Sequence, residues 1–332
     1  MTKIINDAQN IVRNMLHGFY FENEDRVFYN AKYNIIARKD LSAMEESTAI
    51  ISGGGSGHEP ADFGYVGQGM LSVAVAGSIF APPTPEQVLE AIRLVDPSRG
   101  VLLIVKNFAA DVDSFLQAEA LAKAEGRSVD HVIVNDDVSI EDDATYTKRR
   151  RGVAGTVFVH KIVGAAAREG YDLPQLKELG DAVVSRLHTL GVALSPANDP
   201  TKGNQSFTLE PNEAYYGVGI HGEKGYRKEA FSSSEKLAVE LFNKLKRMYR
   251  WKPRDPFAIL VNGLGATPLV EQYIFANDIR RLCELDGLDI RFVKIGTHLT
   301  SLDMEGISLS FLQVEDEKWE HWLKSDVRVA KW

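Results

Sequence analysis

The chain has 332 residues, 44% hydrophobic and 25% charged, a length that favours two domains in contact and a composition at globular averages. A formal net charge of −8 argues against a large nucleic-acid footprint, which needs clustered Lys and Arg. No run approaches the ~18 apolar residues of a membrane span, the opening Met1-Thr2-Lys3-Ile4-Ile5-Asn6-Asp7 has no secretory apolar core, and Cys283 stands alone, so a soluble, disulfide-free, cytoplasmic protein is expected.

Short apolar runs alternate with longer helical stretches, the pattern of an α/β fold. Residues 47–52, 101–105 and 131–134 read as buried strands because they lack polar alternation. Residues 85–95 predict a helix with Thr84 as cap, Pro85 in the first turn and Val88, Leu89, Ile92 and Val95 on one face. Residues 113–126 repeat that pattern and end on glycine. The run Lys148-Arg149-Arg150-Arg151 reads either as a solvated or helix-entry charge cluster contacting neighbouring carboxylates or as an anion or partner contact. From Gly152 a long amphipathic helix runs through Val163-Gly164-Ala165-Ala166-Ala167, where small residues predict close helix contacts, and another is predicted over 173–190. The break at 195–205, rich in Ser, Pro, Asn, Asp and Gly, is the best boundary. It divides an N-terminal α/β domain, 1–190, from a C-terminal α/β domain, 191–332. The second half predicts strands at 216–220, 257–261, 290–293 and 307–312, with helices at 234–249 and 269–285.

The first chemical motif is Ser52-Gly53-Gly54-Gly55-Ser56-Gly57-His58-Glu59-Pro60. A glycine-rich turn after a buried strand lets backbone N–H groups approach ligand oxygens closely, although a purely structural turn would use the same residues. No Lys-Ser/Thr closes it as a Walker loop, and Glu59-Pro60 stands where a dinucleotide-binding helix would open. Neither ATP nor another cofactor is therefore expected on this chain. Lys106, Asn107 and Asp111 emerge at the C-terminal end of a buried strand, where open α/β sheets present ligand groups. Asp111 reads as a base or as the cap of the following helix. In Tyr216-Gly217-Val218-Gly219-Ile220-His221-Gly222-Glu223 a neutral imidazole is a competent nucleophile toward a ketone, with glycines leaving room beside it. His221 reads equally as a half-buried, satisfied histidine. No metal site is expected: none of the eight histidines sits in a helical pair or Cys/His cluster, and Asp136-Asp137 and Asp142-Asp143 read as solvated acidic turns.

Taken together, the glycine-rich motif, Gly67-Gln68-Gly69-Met70-Leu71-Ser72, Arg150-Arg151-Gly152-Val153-Ala154-Gly155-Thr156, the His221 motif, Gly263-Leu264-Gly265-Ala266-Thr267-Pro268-Leu269 and Thr300-Ser301-Leu302-Asp303-Met304 resemble the dihydroxyacetone kinase K-subunit family. The resemblance covers essentially the whole chain. It implies a two-domain α/β homodimer in which His221 forms a hemiaminal with the ketone carbon of dihydroxyacetone. It further implies that Gly55, Ser56, Gly57 and Lys106 contact the ligand, that His58 hydrogen-bonds it, and that Asp111 deprotonates the hydroxyl to be phosphorylated. In the family's bacterial branch the phosphoryl donor sits on a separate nucleotide-binding L subunit, recharged by the phosphoenolpyruvate phosphotransferase system.

Kinase members carry Asn-Tyr-Thr-Gly-Asp where this chain has Asn107-Phe108-Ala109-Ala110-Asp111. The methyl of Ala110 is expected to crowd the backbone, and a ~1 Å displacement costs catalysis about a hundredfold. Gly77-Ser78-Ile79-Phe80-Ala81-Pro82-Pro83 also lacks the acidic residue after the glycine and the Ser-Pro after the phenylalanine. Ligand capture is thus expected to be retained and phosphoryl transfer impaired. That combination resembles the family's non-enzymatic branch in Gram-positive bacteria, a dihydroxyacetone-binding co-activator that pairs with a TetR-type DNA-binding regulator of the kinase operon. In that reading the regulator alone touches DNA. The alternative is a K subunit of the phosphoenolpyruvate-dependent kinase, acting with an L subunit.

Overall fold

Buried strands that lack polar alternation need cover on both faces, and the computed structural model, which describes residues 3–140 and 150–332, builds that cover in layers. After α1 (Ile11–Asn23) come β1 (Val27–Asn30) and β2 (Ile35–Arg38), an antiparallel hairpin. Then follow β3 (Thr48–Ser56), β4 (Val73–Ile79), α2 (Pro85–Arg93), β5 (Gly100–Lys106), α3 (Ala109–Ala124) and β6 (Val129–Val134). These strands form one sheet in the order β1-β2-β4-β3-β5-β6, parallel from β4 to β6. The helix expected after Thr84 forms with a full capping box, Thr84 and Gln87 bonding each other's backbone N–H.

Next come α4 (Thr156–Arg168), α5 (Leu173–Ser185), β7 (Leu187–Ala193), the short pair β8 (Asn198–Asp199) and β9 (Asn204–Gln205), β10 (Glu213–Tyr216) and β11 (Arg227–Ala230). The chain closes with α6 (Ser234–Tyr249), β12 (Pro256–Gly263), α7 (Leu269–Asp286), β13 (Asp289–Gly296), β14 (Gly306–Gln313) and α8 (Glu317–Lys324). The second sheet runs β11-β10-β7-β14-β12-β13. Only β12 and β13 pair in parallel there.

On one face of the first sheet, Ile51, Val73 and Leu103 pack against Val88 and Ile92 of α2 and Phe115 of α3. Its other face, with Ile50, Leu102, Ile104 and Val132, shares a core with α4, α5, Trp319 and Trp322 of α8, and Ala258, Leu260 and Leu312 of the second sheet. Helices α6 and α7 cover the remaining face. The molecule is therefore helices, sheet, helices, sheet, helices. A helix in the middle layer has no solvated face, and every residue of α4 from Thr156 to Ala167 is buried, His160 and Lys161 included. This corrects the amphipathic reading of 152–167. The helix starts at Thr156 because the Asp136 carboxylate accepts from the Val153 and Gly155 N–H groups at 2.7 and 2.8 Å, meeting donors that a helix start leaves unpaired.

Two further expectations change. The helix predicted over 173–190 ends at Ser185, and β7 begins at Leu187, so the change of sheet precedes residue 190 and the 195–205 break lies inside the second half. The strand predicted at 216–220 is instead β10, ending at Tyr216, because Gly217 adopts a positive φ of 75° and turns the chain. Asp136 and Asp137 are buried rather than solvated, and Arg150 and Arg151 are buried too, Arg151 pairing with Asp137 at 2.6 Å ahead of α4, as a helix-entry charge cluster contacting neighbouring carboxylates would. Asp142, Asp143, Lys148 and Arg149 lie outside the described residues. Among the described residues no helix is long and apolar enough to cross a membrane.

Candidate functional site

Strand β3 runs on through Ser56, so glycines 53–55 continue the strand and the turn comes only at Gly57, φ 101°. Close neighbours require these glycines. A Cβ on Gly53 would overlap the Val75 carbonyl, and one on Gly55 would lie 2.8 Å from the Ala81 nitrogen. Gly54 differs, since its Cβ would sit 3.2 Å from Lys106 Nζ and 3.4 Å from Asp111 Oδ1, so this glycine floors a space where both charged groups converge. Ser56 Oγ donates to the Gly77 carbonyl at 2.8 Å, fixing the β4 exit. The Gly57 N–H donates to the Glu59 carboxylate at 2.9 Å.

Lys106, the last residue of β5, is 3% exposed and donates to Asp62 Oδ2 at 2.6 Å and to the Gly53 carbonyl at 2.9 Å. Asp111 lies in the first turn of α3, where Phe108 holds the cap position without a side-chain cap bond; the cap reading of Asp111 is not realised. Burial pushes the Asp111 carboxyl up, an effect that the Lys106 charge partly offsets. Ala109 and Ala110 are exposed on the same turn, so the crowding expected from Ala110 does not occur within this chain.

His221 reaches this space from the second half, on the loop after β10. Its Nδ1 lies 2.8 Å from Glu223 Oε1. An ionised carboxylate only accepts, so Nδ1 carries the hydrogen and Nε2 keeps its lone pair. Burial opposes ionisation of Glu223, but the bond from His221 and the Arg151 charge outweigh it, and its carboxyl drops to about 2. Arg151 clamps the loop, donating to the Gly217 carbonyl at 2.8 Å and to Ser139 Oγ at 2.7 Å while pairing with Asp137 at 2.6 Å. The glycines beside His221 make room for the protein itself. A side chain on Gly219 would overlap Glu223 and Arg151, and one on Gly222 would overlap Ser206.

His58 faces His221 with ring centroids 4.8 Å apart. Its Nδ1 is 2.7 Å from the Thr300 carbonyl, which can only accept, so its Nε2 is also a bare acceptor, buried and without a partner. Burial and the neighbouring His221 push its pKa down to about 3, keeping the ring neutral. Phe108 and Phe80 complete the enclosure, their centroids 4.6 and 5.9 Å from that of His221. Phe80 sits at a φ of 53°, a position that a bulky residue rarely takes. Thr300 also joins the halves, its N–H donating to the His58 carbonyl and its Oγ1 to that of Glu59.

The structure thus brings His58, Lys106, Asp111 and His221 around Gly54, where the C-terminal ends of β3 and β5 meet a loop of the second half. Ser56 and Gly55 lie one step outward, engaged with the segment after β4. Sequence reasoning missed Asp62, Glu223 and Thr300 as parts of the site. Glu223, two residues from His221, and Thr300, which opens one of the motifs shared with the family, carried a usable signal; Asp62 acts through a contact that spacing does not encode.

The Dak1 domain profile matches residues 17–331. The dihydroxyacetone-binding subunit DhaK of the PTS-dependent dihydroxyacetone kinase of Lactococcus lactis is 47% identical, over 99% of this chain and 98% of its own length. The DhaKLM operon coactivator DhaQ of Lactococcus lactis is 42% identical, over 99% of this chain and 100% of its own. A solved structure of the dihydroxyacetone kinase operon co-activator Dha-DhaQ superposes with a TM-score of 0.89 at 42% identity, covering 96% of this chain and 97% of that one.

Proposed function

The chain belongs to the Dak1 domain family, and from that premise we propose that it binds dihydroxyacetone as a covalent hemiaminal on His221. The observation that carries this reading is the pair of opposed imidazoles, each with Nδ1 committed to an acceptor and Nε2 left with a lone pair. Nε2 of His221 attacks the ketone carbon, a C–N bond forms, and the carbonyl π pair moves to oxygen. No group leaves. The new hydroxyl takes one proton, balanced by the one that Nδ1 carried, and Glu223 stabilises the imidazolium through which the step passes. His58 Nε2 accepts a hydrogen bond from a ligand hydroxyl. Lys106 has one N–H beyond those given to Asp62 and Gly53, and it donates to a ligand oxygen.

The output we propose is that of a ligand-sensing co-activator of a TetR-type regulator of the kinase operon. Support comes from Phe108-Ala109-Ala110, which replaces the phenol and hydroxyl of the kinase pattern on an exposed turn beside the site. For ligand to shift the regulator, it must bind the partner-competent state more tightly than the other. A second reading, the K subunit of a phosphoenolpyruvate-dependent kinase, is favoured by one specific observation: Asp111 is buried beside Lys106 with its carboxyl raised, as a general base should be.

With dihydroxyacetone labelled at C2, carbon NMR is expected to show the ketone resonance replaced by a tetrahedral one, at one adduct per chain. His221→Ala should lack it; an adduct persisting there overturns the assignment. Mixing the unaltered chain with a nucleotide-loaded L subunit separates the two outputs. Adduct without turnover supports the co-activator, and robust turnover supports the kinase subunit.

A further inference from the structure

The space at Gly54 receives two carboxylates, Asp111 directly and Asp62 through Lys106. Lys106 is the cation there among the described residues, and Asp62 Oδ2 holds it at 2.6 Å, with both side chains nearly inaccessible to solvent. Arg151 is committed to Asp137 at 2.6 Å and to the Gly217 carbonyl, and stands 3.9 Å from Glu223. Counting Asp62, Asp111, Asp137 and Glu223 against Lys106 and Arg151 leaves two negative charges in excess. The backbone offers an anion little more. The Gly57 N–H, the donor that a glycine-rich loop would give a phosphate, is already taken by Glu59, and the Phe80 N–H bonds the Ser56 carbonyl. The walls are the rings of Phe80 and Phe108, which supply no donor.

We infer that this site selects uncharged short carbonyl compounds against their phosphate esters, and that Asp62 sets the selectivity by neutralising Lys106 from beneath. The inference rests on the proposed capture of a ketone by His221. A phosphate ester carries about −1.5 to −2 charges at neutral pH. Entering here it would lose its hydration while facing Asp111 and a lysine already paired, and burying an anion without a partner is strongly unfavourable. Asp62 is therefore a positioning and specificity residue. It aims the remaining Lys106 N–H at a neutral ligand oxygen and removes the free charge that would recruit a phosphate. A co-activator built this way reports the free ketone and ignores its phosphorylated form; a kinase subunit built this way expels its product.

The experiment is competition against C2-labelled dihydroxyacetone, read by loss of the tetrahedral carbon resonance. The competitors are dihydroxyacetone phosphate and erythrulose, a longer but uncharged ketose. In the unaltered chain erythrulose is expected to displace the label, whereas the phosphate ester fails at roughly hundredfold higher concentration. In Asp62→Asn the ester should gain about tenfold on erythrulose. In Asp111→Asn, which removes the other facing charge, it should gain similarly. Both gains should persist in high salt, because charges buried as deeply as Lys106 and Asp62 are little screened. Equal competition by ester and erythrulose in the unaltered chain overturns the inference. Rejection of both would make the exclusion steric and overturn it as well, as would variants that shift both competitors alike. A chain that forms no adduct with dihydroxyacetone itself instead defeats the reading of His221, an outcome visible before any competitor is added.

Discussion

Glu223 decides which nitrogen of His221 keeps a lone pair. Its carboxylate accepts the Nδ1 hydrogen at 2.8 Å and leaves Nε2 as the lone-pair face. Groups that orient a reactive imidazole in this way typically matter about 10- to 100-fold. Glu223→Gln, which keeps the shape and removes the charge, is expected to weaken dihydroxyacetone binding about tenfold and to lower the urea midpoint at pH 7, where the ionised carboxylate stabilises the fold; NMR titration beside urea denaturation checks both. The pH sign is separable. With a folded value of about 2 against 4.5 in the unfolded chain, Glu223 contributes stability that is present above pH 4.5 and is lost as the pH falls toward 2. The Glu223 carboxylate is therefore kept between pH 7 and pH 5. The four principal side chains were legible from residue type and motif, because His, Lys and Asp at strand ends and in glycine-rich segments are chemically conspicuous. Asp62 was not, since its importance is a single contact across forty-four positions.

At the scale of elements, α4 shows how tertiary context reverses a local preference. An isolated helix gains about 1 kcal/mol when an interior glycine becomes alanine. At Gly164, however, a Cβ would overlap the Met70 backbone, and backbone cannot yield as a flexible side chain does. Overpacking of this kind costs about 1–3 kcal/mol, so Gly164→Ala is expected to destabilise the protein by about 1 kcal/mol or more, seen as a lower urea midpoint at unchanged slope. A higher midpoint would show that the contact relaxes. The small residues at 164–167 predict close helix contact; at Gly164 the partner is instead the loop before β4. Helices with ordinary caps and a single apolar face were placed well, as with Ser234–Tyr249, whose bounds match the expectation. Strand β7 was absorbed into the preceding helix because its apolar run continues the helical pattern without a glycine or proline between them.

Across the whole molecule, burial leaves three histidines neutral. His58, His160 and His298 have pKa values of about 3, 4 and 4, in each case chiefly through desolvation. In the unfolded chain each binds a proton near pH 6.5. Stability is thus fully present above that value and is lost as the pH falls through it, the unfolded state binding more protons. Asp136 acts in the opposite sense, because burial raises it to about 6 and the folded state holds its proton more tightly than the unfolded chain. The three histidines outweigh the raised carboxyls of Asp136, Asp111 and Glu59 and predict a net loss of stability from pH 7 to pH 5, measurable by urea denaturation at the two values; a flat profile would mean that the buried rings find compensating partners on protonation. By itself the amino-acid sequence determined the α/β class, most helices, the inner strands and which titratable side chains stand at strand ends and in glycine-rich segments, because those follow from local periodicity, capping and side-chain chemistry. Only the tertiary structure decided that α4 and α5 lie between two sheets, that the glycines at 53, 55, 219 and 222 accommodate neighbouring protein, and that Asp62 and Glu223 complete the site. Each of these depends on contacts between residues far apart along the chain or on backbone turns such as Gly217, and no local pattern specifies which distant surface a segment will meet.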